Sequence, residues 1–325
     1  MKALLLRSLL RLGRALAVMA GISVLVFLIF FATPGADPAA RIAGRGASPE
    51  TLAAVRAEFG LDQPLPVQYV RLMRRLFVTQ DLASYANRGQ LVVPALLRAA
   101  PVTLSLVAGA AVLWSALGLA IGLVAAVLRG GALDRGVVAL GLLGASIPVF
   151  WLGEVVNLVT QDRGAGGGWF AWVPPLGYVP LTEDPAGWLR ALLLPWATLA
   201  AVYAGVYGRL LRNSLADAFA QDYVRTARAK GLGSARVVLL HALRPSLGAA
   251  VALLGLDVGA LLGGGTLLVE VVFGLRGVGK LTYDALTNLD LPVVMAVVLY
   301  SSLLVVLANA AADAAQAWLD PRLRG

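Results

Sequence analysis

The sequence predicts an all-α protein that crosses a membrane six times, and three observations carry that prediction. Hydrophobic residues make up 59% of the chain and charged residues only 14%, with a mean hydropathy of +0.80. A water-soluble domain carries about 25% charged residues, so this chain lacks the charge to cover a water-facing surface. Six apolar segments, roughly 12–32, 101–128, 136–159, 190–210, 247–270 and 291–314, are each long enough to cross the hydrocarbon layer as a helix, which takes about 20 residues. Basic residues flank these segments on alternate loops and form no continuous stripe. The net charge of +9 therefore reads as membrane topology facing anionic headgroups, not as a nucleic-acid surface.

The first segment follows Lys2, Arg7, Arg11 and Arg14, and its apolar run from Ala15 to Ala32 is longer than the core of a cleavable signal. A retained anchor helix is expected. A long external loop follows, and within it Val67, Val70, Met73 or Arg74 and Phe77 recur at helical spacing. That spacing predicts an amphipathic helix lying at the outer surface. The second segment carries Gly118 and Gly122, and the fifth carries Gly255, Gly259 and Gly263, stripes that let helices approach closely in lipid. Pro148 is expected to kink the third segment. Gly164–Gly168 with Trp169, Phe170 and Trp172 reads as a flexible linker followed by interfacial aromatics. The chain thus divides into 1–100, an anchor helix with a long external loop, and 101–325, a five-helix core with a cytoplasmic loop at 209–246.

Orientation follows from the short loops. Arg129 and Arg135, seven basic residues from Arg209 to Arg244, and Arg322 with Arg324 all fall on the side of the basic N-terminus. The positive-inside rule makes that side cytoplasmic, so both termini are expected there. The other side has Arg163, Arg190, Arg276 and Lys280 in its shorter loops.

Chemistry within the spans is sparse. Asp257, near the middle of the fifth segment, reads either as a proton-relay group or as a carboxyl that bonds neighbouring helices or lines a water-filled pathway. A relay needs ionisable companions at similar depth, and only Glu154 with Asn157 is available. An ion-coupled secondary transporter using Asp257 stays open as an alternative class. The chain has no cysteine and one histidine, His241, so a thiol nucleophile and a metal cluster are excluded. Ser146 has no intramembrane base, and Gly274–Lys280 has the wrong spacing for a phosphate loop. ATP hydrolysis is not expected of this chain.

The cytoplasmic loop holds the most informative stretch, Gln221-Asp-Tyr-Val-Arg-Thr-Ala-Arg-Ala-Lys-Gly-Leu232. Ser214-x-x-Asp217 resembles a capping box, Asp222 is a candidate N-cap, and Tyr223 and Ala227 are one turn apart. Gly231 suits a left-handed helix end, Ser234 to Leu243 reads as a second short helix, and Pro245 suits the first turn of the fifth span. Ala227, Ala229 and Gly231 leave the bend without bulk, while Arg225, Arg228 and Lys230 offer charge. A docking element for a cytoplasmic partner is expected.

This stretch resembles the cytoplasmic coupling motif of permease subunits of ATP-binding-cassette importers, in the form typical of the dipeptide, oligopeptide and nickel branch. Gly60-Leu-Asp-Gln-Pro-Leu-Pro-Val-Gln-Tyr69, Ser146-Ile-Pro-Val-Phe150, Val269-Glu-Val-Val-Phe-Gly-Leu-Arg-Gly-Val-Gly279 and Leu319-Asp-Pro-Arg322 match the same family in order. The resemblance implies a six-helix type I importer permease of the B-type, in a bacterial inner membrane. It implies a second homologous permease, two cytoplasmic ATPases that bind ATP and Mg, and an external solute-binding protein. Asp222, Tyr223, Arg225, Thr226, Ala227, Arg228, Ala229, Lys230, Gly231 and Leu232 would couple to the ATPase. Asp257, Gly255, Gly259, Gly263 and Pro148 are pathway or packing candidates. The cargo implied is a di- or oligopeptide, with nickel or another small solute as the alternative. Two departures stand out: Thr79-Gln-Asp-Leu-Ala replaces the family's Gly-Asp-Leu-Gly, and Pro245 follows Arg244 at once.

Overall fold

The computed structural model describes residues 2–31, 38–43, 48–87, 89–128, 130–161, 170 and 172–319. Arg129, Arg163, residues 164–169 and the terminal Asp320-Pro321-Arg322 with Arg324 lie outside the described residues, as do the side chains of Lys2, Arg7, Arg11 and Arg14. Helices come in the order α1 (Lys2–Phe31), α2 (Pro38–Ala43), α3 (Pro49–Phe59), α4 (Leu65–Phe77), α5 (Val92–Val127), α6 (Ala132–Ser146), α7 (Val149–Gln161), α8 (Pro185–Phe219) and α9 (Asp222–Ala229). There follow α10 (Ser234–Gly265), α11 (Leu267–Val272), α12 (Val278–Thr287) and α13 (Leu291–Leu319). Among the described residues the only β-type pairing is an isolated antiparallel bridge between Ala83 and Leu91.

Four helices are individually long and apolar enough to cross a membrane: α5, α8, α10 and the Leu291–Trp318 part of α13. A bent pair of helices passes the same test only when its two parts are taken together, as a broken span or a re-entrant loop. Asp134–Gly144 and Val149–Gln161 meet at 98°, so Pro148 does more than kink the third span: it separates α6 from α7. Proline disfavours helical backbone in the residue before it, and Ile147 is extended there (φ −93°, ψ 124°). Helix α1 has 30 residues, with its apolar stretch at Leu16–Ile29. The fifth span also differs from expectation. Ser234 starts α10 directly, so no separate short helix precedes the span and Pro245 lies inside it. A π-helical stretch, Val237–Ala242, precedes this proline and loosens the turn whose carbonyl its ring would otherwise strike. Gly264 (φ 128°) then ends the span short of residue 270. Ser214 lies within α8, which needs no new start there.

The described chain forms two compact units. The first comprises Met1–Pro101 with Gly277–Val306. Its core joins Phe27, Leu72, Leu76, Leu82, Val92 and Met295. Ser23 shares a 2.6 Å hydrogen bond with Tyr69, whose ring meets Phe27 edge-on at 5.4 Å. Helix α4 is amphipathic as predicted, but the other stripe is buried: Leu72 and Leu76 face inward with Tyr69 and Met73 against them, while Val67, Val70 and Phe77 are exposed. Both stripes have i, i+3, i+4, i+7 spacing, so periodicity alone could not choose.

After α4 the chain turns through Gln80, at φ 53°. This is the left-handed conformation in which glycine is at ease, and Gln80 precedes Asp81-Leu82 as the family's glycine precedes Asp-Leu. The loop is then fastened to the start of α13. The Ser84 hydroxyl donates to Asp290, and the Tyr85 N–H donates to Asp290 Oδ1 at 3.0 Å. Burial pushes the Tyr85 phenol up to about 12, against the opposing charge of Arg75 and with a smaller contribution from the nearby Asp290 carboxylate.

The second unit comprises Val102–Arg276 with Leu307–Gly325, and glycine sets its spacing. A Cβ placed on Gly205 would lie 2.7 Å from the Leu140 carbonyl oxygen and 2.9 Å from Gly141 Cα; one on Gly122 would lie 2.7 Å from the Gly208 carbonyl oxygen. Helix α8 thus meets α6 and α5 backbone to backbone. Gly255 packs against the Ala312 methyl of α13, with no room for a Cβ. Gly255 and Gly259 are buried but Gly263 is exposed, so the predicted three-glycine stripe is two residues long.

Two outcomes are expected. Gly205→Ala should lower stability by about 1–3 kcal/mol, because backbone, not a yielding side chain, occupies the space, whereas Gly136→Ala, whose Cβ would meet nothing within 4 Å, should be neutral. Thermal unfolding of the purified protein in detergent checks both. Between pH 10 and about 12 the unfolded chain has shed the Tyr85 proton and the folded chain has kept it, so stability should fall as pH rises through that window. Ultraviolet titration of the chain and its Tyr85→Phe variant should differ by one phenol titrating near the upper end; a difference centred near the ordinary tyrosine value would contradict this.

Candidate functional site

Helix α8 runs without interruption from Pro185 to Phe219 and delivers the chain to α9. Its N-terminus is fixed by Asp184, whose carboxylate accepts the Ala186 N–H at 3.0 Å, with Pro185 at the first position. Near its other end Arg212 reaches α6 and forks onto Asp134. Its Nε and Nη2 each donate to a carboxylate oxygen at 2.8 Å. Asp134 also accepts the Gly130 N–H and lies in the first turn of α6, where the helix dipole favours a carboxylate. Sequence reading counted Arg212 only as a topological charge. The pairing spans 78 residues, and no local signal announces it.

Helix α9 has an apolar underside and a polar outer face. Val224, Ala227 and Val237 form a small buried core with Phe219 and Leu232 against it, and Arg228 sits over the Phe219 ring at 5.8 Å. Tyr223, Arg225, Thr226, Ala229 and Lys230 are exposed, as are Asp222 and Arg228. Three expectations change here. Gln221, extended at ψ 149°, precedes the helix without a side-chain cap, so Asp222 is the first helical residue and acts by its charge. Tyr223 and Ala227 do not share an exposed face, because Ala227 is buried. Its small side chain serves the contact with Val237, not an open tip. The bend itself is Gly231, at φ 77°, where a Cβ would meet nothing within 4 Å. Ala229 and Gly231 therefore keep this surface low.

Within the spans, Tyr207 of α8 donates to Asp257 Oδ2 of α10 at 2.8 Å. Trp114 is fully buried and stacks on Tyr203 at 4.7 Å with Tyr207 at 6.2 Å, which fixes the position of that hydroxyl. Glu154 is exposed and distant in role from this pair, while Asn157 is buried and donates to the Val272 carbonyl at 2.8 Å. Sequence reading also missed Glu270, which is fully buried and accepts from the hydroxyls of Thr103 (2.6 Å) and Thr266 (3.2 Å). Its signal was a carboxylate inside Leu267-Leu-Val-Glu-Val-Val272. Pro148 stands at the junction of α6 and α7, and Leu232 is half-buried under α9.

Helix α9 is thus an uncapped, charged eight-residue helix packed against the spans on either side of it. Residues 118–325 match the family described as binding-protein-dependent transport system inner membrane component, and residues 1–107 match its N-terminal counterpart. The chain belongs to this family. It is a permease subunit of an ATP-binding-cassette importer, a multi-pass protein of the inner membrane, and ion-coupled transport by this chain alone gives way to that membership. A Brucella abortus protein named as a peptide transport system permease protein is 39% identical over 100% of this chain and 99% of its own length. The Escherichia coli D,D-dipeptide transport system permease protein DdpB is 36% identical, with 94% of each chain covered. The glutathione transport system permease protein GsiC of Salmonella paratyphi A is 37% identical over 93% of this chain and 94% of its own length.

Removing one partner of a buried ion pair leaves an uncompensated charge. Arg212→Ala should therefore lower stability by about 3 kcal/mol, the low end for such pairs since Arg212 keeps part of its surface exposed. Adding Asp134→Ala should recover most of the loss. Thermal unfolding of the two single variants and the double variant checks the coupling.

Proposed function

We propose that this permease imports peptides, and that α9 is its docking element for a cytoplasmic ATPase. The observation that carries the docking reading is the two-sidedness of α9: Val224 and Ala227 bind it to the chain, while Asp222, Tyr223, Arg225, Thr226, Arg228 and Lys230 are left outward. An eight-residue helix is too short to persist by its own propensity, so its fixed position comes from that underside. A fixed, charged helix at a low bend suits a cleft on a partner. The names of the relatives, which concern peptides, dipeptides and glutathione, support the cargo.

In this reading both termini and α9 face the cytoplasm, as the basic loops require. A second permease completes the pathway, two ATPases supply ATP and Mg, and an external binding protein delivers the peptide. Closure of the ATPase pair moves α9. That movement passes into α8 directly and into α10 across the Val224–Val237 contact.

Cells carrying the gene should take up labelled dipeptides only while ATP is present, whatever the proton gradient. Nickel uptake in their place would overturn the cargo. Arg225→Glu with Lys230→Glu, both exposed, should leave the chain in the membrane and cut uptake at least tenfold through loss of ATPase association. Undiminished uptake would overturn the docking role.

A further inference from the structure

A cavity of roughly 200 Å³ lies among α5, α8 and α10, walled by Ser115, Tyr207, Leu211, Leu247, Val251 and Leu254. For scale, an apolar cavity of about 150 Å³ holds a benzene molecule, so an aliphatic or aromatic side chain fits here. Leu247, Val251 and Leu254 form one stripe of α10, and Asp257 continues it by a further turn. Tyr207 belongs to both places: it walls the cavity and donates to Asp257. Asp257 is not itself in the cavity wall: it lies one turn beyond Leu254 and is bonded to Tyr207, both of which line the chamber.

That carboxylate is only partly satisfied. Tyr207 takes Oδ2, and among the described residues no cationic side chain pairs with Asp257 and no donor serves Oδ1. Asp257 is half-buried. A lone carboxylate inside a span is expensive and faces a cavity or a cationic group. Trp114 and Tyr203 brace Tyr207, so the acceptor geometry exists before any ligand arrives.

An apolar chamber with a carboxylate one turn beyond its lining is complementary to an ammonium group on a carbon that bears an apolar side chain. We propose that this chamber receives the N-terminal residue of the peptide in transit: Asp257 Oδ1 accepts from the α-ammonium, and the side chain enters the cavity. The inference rests on the peptide-import reading and adds to it a preference for a free, charged N-terminus. It gives Asp257 a binding role in the pathway, with Tyr207 as its positioning residue.

The test uses the complete transporter, purified with its partner subunits into lipid bilayers. The probe is the amide of photo-leucine, which has a free ammonium and a photoreactive aliphatic side chain. Labelling should map to the α5, α8 and α10 residues around Ser115, Tyr207 and Leu254. Leucinamide should compete it away at least tenfold more effectively than N-acetyl-leucinamide. Asp257→Asn, which keeps the side chain's shape, should cut labelling at least tenfold, and Asp257→Glu should restore part of it. Equal competition by the acetylated compound would overturn the proposal and show a chamber for apolar groups, such as lipid chains. So would labelling that maps elsewhere. The competition arm uses the unaltered protein and does not depend on how a variant folds. Chamber labelling in a transporter that takes up no peptide would leave this site standing and overturn the cargo reading instead.

Discussion

At its glycines helix α8 meets α6 and α5 backbone to backbone, and the second unit depends on that approach. Lipid gives helices no hydrophobic reason to associate, so close van der Waals contact has to hold them. Gly205 against Leu140 and Gly141, and Gly208 against Gly122, bring α8 within backbone distance of α6 and α5. A single methyl group at these positions has no free space. The axis of α8 is fixed as a result, and with it every residue that α8 carries.

Those residues carry the functional argument. Tyr207 lies one turn or less from Gly205 and Gly208, so the hydroxyl that meets Asp257 is held by close helix packing. Arg212 lies one turn beyond and ties the same helix to Asp134 at the start of α6. Phe219 ends α8 and packs under α9. A push on α9 therefore meets a braced helix, not a flexible tether. The same push reaches α10 through Val237, at a π-helical stretch whose looser hydrogen bonding gives the turn room to shift. In the proposed docking role, α9, rigid on one side and adjustable on the other, would convert closure of a partner into relative movement of two spans.

Much of this was legible in the sequence, and the rest was hidden for physical reasons. Composition and charge placement identified a membrane protein, because too few charges exist to cover it any other way. The place of the break at Pro148 was legible, but its size depends on the extended backbone of Ile147. The helix at residues 65–77 was legible, but two stripes share its period and only the surrounding core selects between them. Ala227 read as a surface residue because its burial depends on Val237, across a bend. The Asp134–Arg212 and Ser84–Asp290 pairings join residues 78 and 206 positions apart, and no local pattern marks such pairs. Glycines spaced for close packing were visible on α5 and α10, yet Gly141 and Gly205 became meaningful only as a pair.

The chain has no cysteine, so one can be introduced without background. The most direct test of the account places Lys230→Cys in the complete transporter and treats inside-out vesicles with a short bifunctional cross-linker. The account predicts a covalent adduct with an ATPase subunit, whose yield changes when ATP is added. A cysteine at this position that reacts freely with small reagents yet joins no ATPase subunit, in vesicles that still transport, would contradict it.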